Sequence, residues 1–314
     1  MYEVHLTGNF PRPEQLIDIS RQFDRGRTNE SELQENLTRS SRELIELQRL
    51  NGFDILVDGQ LNWQDLFRPF ADLFAGIEAG TLTRWFDNNT FYRSPIVTDR
   101  MKRTDVAVTR YCRADLMPTV RRKAIMPGPY TFAKLSENNA YPSFADLVDD
   151  LSHLLASVSR ELTDLGYEIL QFNEPSLCTA RVEELEIAKR GFEIIAKSNA
   201  TIVLQTYFGS ISRIIDNLVD FPVDCIGVDV YANDIDILDD CSFGKDMSCG
   251  CVDGRNSLIE PASRIVELVT RVSDAIEPHH VYVGPNCDLE FLPYSVAERK
   301  VQLIGDVRRK LNDQ

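Results

Sequence analysis

The 314-residue chain is poor in positive charge, with 34 Lys and Arg against 49 Asp and Glu and a formal net charge of −15. That balance repels polyanions, so nucleic acid and anionic membrane surfaces are not expected partners. No run of 18 apolar residues occurs, and the N-terminus lacks a basic segment followed by an apolar one. A membrane span and a secretory leader are therefore not expected, and the cytoplasm is the expected location. The chain also lacks G-x-G-x-x-G and P-loop spacing, which removes the usual phosphate cradles of dinucleotide and nucleoside triphosphate enzymes. Its seven cysteines, an odd number without a leader, read as free thiols or metal ligands rather than a disulfide framework. Five of them, Cys225, Cys241, Cys249, Cys251 and Cys287, fall in the last third.

What is present is 43% hydrophobic residues, ample for a buried core, in strand-like and helix-like segments that alternate with no linker between them. The strand-like runs are Tyr2 to Thr7, Asp54 to Val57, Arg121 to Met126, a run from Glu168 into Asn173, Thr201 to Gln205, Cys225 to Val230, Met247 to Val252 and His280 to Val283. Helical spacing marks Thr28 to Leu50 (Leu33, Leu37, Leu44, Leu47, with Asn29 or Ser31 as cap), Phe144 to Leu165, Arg181 to Ser198, Ile211 to Leu218, Pro261 to Ile276 and Ser295 to Leu311. After the second strand an aromatic-rich stretch through Trp63, Phe67, Phe70, Phe74 and Trp85 reads as a packed insertion beside the site. Eight strands with intervening helices predict one (β/α)8 TIM barrel domain over residues 1–314, with its functional mouth at the carboxyl ends of the strands.

The strand ends are where polar residues collect. The run from Glu168 delivers Gln171, Asn173 and Glu174 and is stopped by Pro175. Other strands end in Asn9, Gln60, Tyr207, Asp229, Arg255 and Cys287, each near Gly or Pro. His153, His279 and His280 lie outside such tips and read as structural; His5, on the first strand, is the one histidine placed to matter.

Six phrases carry a resemblance: Thr83-Arg-Trp-Phe-Asp-Asn88, Pro127-Gly-Pro-Tyr-Thr-Phe132, Gln171-Phe-Asn-Glu-Pro-Ser-Leu177, Gln205-Thr-Tyr-Phe-Gly209, Val252-Asp-Gly-Arg-Asn256 and Pro285-Asn-Cys-Asp-Leu289. In order over nearly the whole chain, they resemble the cobalamin-independent methionine synthases. The resemblance implies methyl transfer from a methyltetrahydrofolate-type donor to the thiol of homocysteine, with zinc held by a His, two Cys and a Glu. In size the chain is similar to the single-barrel forms, while several phrases look closest to the N-terminal, non-catalytic barrel of the long enzyme.

Against that pattern the chain departs repeatedly. Gln205 and Tyr207 stand where the resemblance places His-x-Cys, Asp229 stands for the zinc-binding Glu, and Cys287 alone is kept in kind. Gln60 and Asn173 replace carboxylates, and Leu135 replaces the Trp that would stack on the pterin. The loss of two carboxylates predicts a mouth that binds the ammonium of homocysteine poorly. Two readings follow. One is a methyltransferase of this type with an altered thiol or donor and a rearranged metal site, in which Glu174 and Asn173 are catalytic, Asn9, Gln60, Tyr207 and Arg255 bind substrate, and Cys287 and Asp229 are joined by Cys251, Cys249 or His5 around zinc. The other is a non-catalytic companion barrel that binds folate polyglutamate, with Arg84, Arg93, Arg121, Arg122, Lys123 and Arg255 as anion contacts, or that docks on a separate catalytic barrel. A second barrel subunit or a homo-oligomer is the partner these readings allow. The uroporphyrinogen decarboxylase type of barrel shares none of the phrases.

Overall fold

The computed structural model describes residues 1–118, 120–197, 199–238 and 243–313. Eight short parallel strands form a nearly closed cylinder: β1 (Tyr2–Val4), β2 (Ile55–Leu56), β3 (Arg121–Pro127), β4 (Ile169–Asn173), β5 (Thr201–Gln205), β6 (Cys225–Asp229), β7 (Asp246–Val252) and β8 (Val281–Pro285). Around the cylinder the order is β1-β8-β7-β6-β5-β4-β3-β2. All eight strands were expected from the sequence, and the first two are shorter than expected. Among the described residues no ladder joins β1 to β2. Instead the Val4 amide donates to Asp54 Oδ2 at 3.0 Å, and Arg308 of the C-terminal helix (Tyr294–Asn312) grips both oxygens of the same carboxylate.

The register is staggered. Cα partners run Asn173, Gln205, Gly227, Ser248, Tyr282 and Glu3, so one row starts at the mouth on β4 and reaches the amino-terminal end on β1. That stagger is what a tilted, closing sheet requires. Because side chains alternate along a strand, one face of each strand fills the cylinder and the other meets helices. Ile55, Ile169, Val203, Cys225 and Tyr282 form a separate apolar plug inside it.

Above the plug the filling is polar. Lys123 Nζ donates to Gln171 Oε1 at 2.7 Å and lies against His5 Nδ1, while Ser248 Oγ lies 3.3 Å from His5 Nε2 and donates to Gln205 Oε1 at 3.0 Å. Gln171 Nε2 continues the chain to Thr7 O and Asn173 Oδ1 at 2.6 and 2.7 Å. Burial pushes the Lys123 amine and the His5 imidazole well below their ordinary values, and the charge of Lys123 pushes His5 further the same way. These placements correct two expectations. His5 belongs to the barrel interior rather than to a metal site, and Lys123 does not face an anionic tail. Arg121 also points away from the mouth, pairing with Glu3 at 2.6 Å, and Arg122 caps the carbonyls of Met117, Pro118 and Leu165.

The helical layer follows from the apolar spacing. Asn29 caps the helix Glu30–Leu50 by accepting from the Glu32 amide at 3.0 Å, and Ser143 caps Phe144–Asp164 through the Asp146 amide at 3.1 Å. The second helix buries Leu147, Leu151, Leu155, Val158 and Leu162, a helical stripe worth about 1.5–3 kcal/mol for each fully buried side chain. The aromatic insertion contains a long antiparallel hairpin, Phe74–Arg84 with Phe91–Arg103, whose second strand pairs in parallel with Glu137–Asn138. Phe67 sits within 5.0–5.9 Å, centroid to centroid, of Phe132, Tyr92 and Trp85, which ties the hairpin base to the barrel. The helix expected from Ile211 is only Ile215–Leu218, and the sequence reading overlooked the helix Glu14–Asp24. Among the described residues no helix is long and apolar enough to cross a membrane.

Candidate functional site

At the end of β4, Asn173 and Glu174 are fully buried. The chain turns because Pro175 cannot continue the ladder, and the Glu174 carboxylate reaches the start of the short helix Pro129–Lys134. There the Tyr130 amide donates to Oε1 at 2.9 Å and the Thr131 amide to Oε2 at 2.7 Å. Burial pushes this carboxyl up to about 7, against the pull of those donors. Gly128 permits the approach, since a Cβ there would stand 2.2 Å from Glu174 Oε1.

At this end of the barrel several buried polar atoms have no protein partner: Asn9 Oδ1, Gln60 Oε1, Asn173 Nδ2, Ser176 Oγ and Tyr207 Oη. An unpaired buried donor or acceptor costs about 1–3 kcal/mol, so such a concentration at the strand ends marks a place where something else supplies the missing bonds. Two of the residues beside it hold left-handed backbone, Gln60 at φ 53° and Phe208 at φ 68°, which adds local strain at the same end of the barrel.

A cleft of 810 Å³ opens between the β1, β2 and β8 loops and the hairpin; Asn9 and Gln60 line it, and Asn173, Glu174 and Tyr207 do not. Its floor carries Asn9, Gln60, Asp288 and Glu290; Trp63, Trp85, Tyr92 and Tyr294 wall it, and Arg12 and Arg21 also line it. Asp288 Oδ1 accepts from the Asn9 amide at 2.9 Å, and Glu290 Oε2 from Asn9 Nδ2 at 3.3 Å. Burial raises both carboxyls, and the charge of Glu290 raises Asp288 further. Neither residue stood out in the sequence, although the Asp-x-Glu spacing directly after Cys287 was there to be read.

The residues expected to hold zinc do not converge. Asp229 already accepts from the Phe208, Tyr231 and Ala232 amides and from Asn286 Nδ2, so its oxygens clamp the loop after β6. Cys251 lies on the outward face of β7, in the apolar layer beneath the helices, with its thiol 3.8 Å from Gly284 O, and Cys249 shares that face. Cys287 is buried at the mouth, where burial and then the charges of Asp288 and Asp229 push its thiol up. Cys241 lies outside the described residues. Among the described residues no three His, Cys, Asp or Glu side chains are placed to hold a metal ion, so the donor set does not fit zinc.

Arg255 donates to Asp87 Oδ2 at 2.9 Å and lies 5.1 Å over the Phe208 ring, joining the hairpin tip to the loop after β7. Arg93 bonds Gly80 O within the hairpin. Asn9 and Gln60 are thus placed together on the cleft floor, Asn173 and Glu174 beside the start of the Pro129–Lys134 helix, and Tyr207 near Asp288, Glu290 and Glu174; burial first, and then those charges, raise its hydroxyl.

Comparison with known proteins fits this architecture. A methionine synthase of Sulfolobus acidocaldarius is 26% identical over 302 residues, covering 94% of this chain and 88% of that protein. A 5-methyltetrahydropteroyltriglutamate–homocysteine methyltransferase of Bacillus cereus is 28% identical over 249 residues, and the match spans only 33% of its length. A B12-independent methionine synthase from a Shewanella species, solved with selenomethionine, superposes with a TM-score of 0.84 over 99% of both chains at 18% identity, a likeness of fold. A family model for the N-terminal domain of cobalamin-independent synthase matches residues 74–277, and the chain belongs to that family.

Proposed function

We propose that this chain is a single-domain barrel that binds small-molecule substrates of methyl transfer and moves a methyl group from a folate-type donor to a thiol. The observation that carries the reading is the set of unpartnered buried polar atoms at the strand ends, the same end of the barrel at which Glu174 is buried. The names borne by the Sulfolobus and Bacillus relatives supply the reaction class. In such a transfer the C–N bond of the donor breaks, the thiol gives up its proton as the C–S bond forms, and a proton must reach the departing nitrogen, since a neutral tertiary amine leaves poorly. Glu174, raised to about 7, holds a proton near neutrality and is the group we assign to that delivery. Asn173, Tyr207 and Gln60 orient the reactants, and Arg255 positions the loop that borders them. No step is assigned to zinc.

The misfit to zinc favours a second reading, a companion barrel that holds ligand or a partner barrel without doing chemistry. One experiment separates the two. The purified chain is mixed with radiolabelled methyltetrahydrofolate, as mono- and triglutamate, and homocysteine, and product is followed with and without Glu174→Gln. Methyl transfer that falls roughly a hundredfold or more in the variant supports the enzyme. Donor binding by calorimetry with no transfer by either protein supports the companion.

A further inference from the structure

The polar filling of the barrel is anchored at two backbone carbonyls, and a carbonyl can only accept. At one end Gln171 Nε2 donates to Thr7 O at 2.6 Å, so the other atom of that amide, Oε1, is the one that meets Lys123. At the other end Gln205 Nε2 donates to Thr206 O at 3.2 Å, which turns Gln205 Oε1 to the Ser248 hydroxyl and makes that hydroxyl the donor. Its oxygen then accepts from His5 Nε2, leaving Nδ1 of the same ring unprotonated and able to accept from Lys123. Both routes give Lys123 the same part, an amine that donates one N–H bond to each side. Turning Gln171 over would set its oxygen against Thr7 O, a buried acceptor facing a buried acceptor, so this amide has one orientation.

What Gln171 fixes is the residue two places on. The side chains of Gln171 and Asn173 share one face of β4, both fully buried, and Gln171 Nε2 gives its second N–H bond to Asn173 Oδ1 at 2.7 Å. Asn173 Nδ2 is then the free end of the amide, buried without a protein partner next to Glu174. An asparagine alone has no preference for which of its two ends it presents. We propose that Gln171 is a positioning residue that holds the Asn173 amide with Nδ2 toward the mouth, so that this position offers N–H bonds and takes a hydrogen-bond acceptor, a carbonyl oxygen or an unprotonated ring nitrogen, from what binds there. Thr7 and Lys123 hold Gln171, and through it the interior of the barrel sets the polarity of a group at its opening. The inference rests on the proposed function only for the identity of the ligand; the orientation belongs to the ligand-free protein.

The first readout needs no ligand. The full chain, labelled with ¹⁵N in its asparagine side chains, gives an Nδ2 proton pair for Asn173 in its NMR spectrum, identified by its absence in Asn173→Ala. An unpartnered amide held in one orientation should give one pair without the downfield shift of a hydrogen-bonded proton. That pair should move, double or broaden in Gln171→Leu and Gln171→Met, whose folding is checked by thermal melting; the wild-type pair tests the orientation even where a variant fails to fold. The second readout is methyltetrahydrofolate binding by calorimetry. Each Gln171 variant should weaken it roughly threefold to tenfold, the loss of about one hydrogen bond, yet Gln171→Met added to Asn173→Ala should cost nothing further, since no amide is left to orient. A wild-type pair shifted downfield, an unchanged pair in the folded variants, or full additivity of the two substitutions overturns the positioning role. If the wild type binds no methyltetrahydrofolate, the proposed function fails while the proton pair still decides the orientation.

Discussion

Replacing Lys123 by Met tests the polar filling of the barrel most directly. The amine is fully buried, its contacts are Gln171 Oε1 and His5 Nδ1, and no carboxylate is among the groups that shift it. A base whose pKa falls on folding binds fewer protons in the folded than in the unfolded chain. Stability must therefore rise with pH, by about 1.4 kcal/mol per unit, between the lowered folded value and the ordinary 10.5. Lys123→Met deletes that slope. It also strands Gln171 Oε1 and a histidine nitrogen, costing about 1–3 kcal/mol each, but this offset does not change with pH above the range in which His5 titrates. Urea unfolding of both proteins from pH 7.5 to 9.5 gives the difference curve, in which the titrations common to the two cancel. Wild type should gain on the variant as pH rises across that window. A flat difference would mean that the ammonium keeps its charge inside the barrel, and the account of a neutral amine held by His5 and Gln171 would be wrong.

Other perturbations follow from single contacts. Gly128→Ala places a methyl 2.2 Å from the Glu174 carboxyl and should cost about 1–3 kcal/mol in urea unfolding while weakening ligand binding at the mouth; an unchanged midpoint would show that Glu174 is not seated there. Because Glu174 is raised from its ordinary 4.5 to about 7, its contribution to stability is complete below pH 4.5 and is lost as pH rises through 7. Glu174→Gln should then gain on wild type between pH 5 and 8, and parallel stability curves would contradict the raised value. Leu151→Ala empties a fully buried position on the helix Phe144–Asp164 and should cost about 2–5 kcal/mol, read by the same unfolding assay.

The barrel was legible in the sequence because eight apolar runs end in polar tips near Pro or Gly, with six helical stripes set among them. The interior was not. Lys123 reads as one more basic residue in Arg121-Arg122-Lys123, and only strand alternation inside a closed cylinder turns it inward while Arg122 goes to the carbonyls of Met117, Pro118 and Leu165. The hairpin was read as packed but not as two strands, since its pairing shifts register between Ala75 and Ile77 and again between Ala79 and Leu82, which blurs the alternation. At the mouth, Asn9, Gln60, Asn173, Glu174 and Tyr207 could be picked out as strand tips. Asp288 and Glu290 could not, because they lie past the tip of β8 and meet Asn9 only through the neighbourhood of the first and last strands. The metal set failed for a similar reason: Cys251 lies on the strand next to the one that leads to Cys287, yet the two-residue repeat of β7 turns it to the outer layer.

The open joint between β1 and β2 couples the two ends of the polypeptide. Asp54 bridges the gap at the level of the strands, with the Phe10 amide donating to Gly59 O at 3.0 Å beyond their ends, and the same carboxylate tethers the last helix through Arg308. Unrolling of the cylinder and release of the C-terminal helix are thus one event, and deuterium should enter the amides of Tyr2–Val4 and the final helical turns together when Asp54 is replaced by Ala.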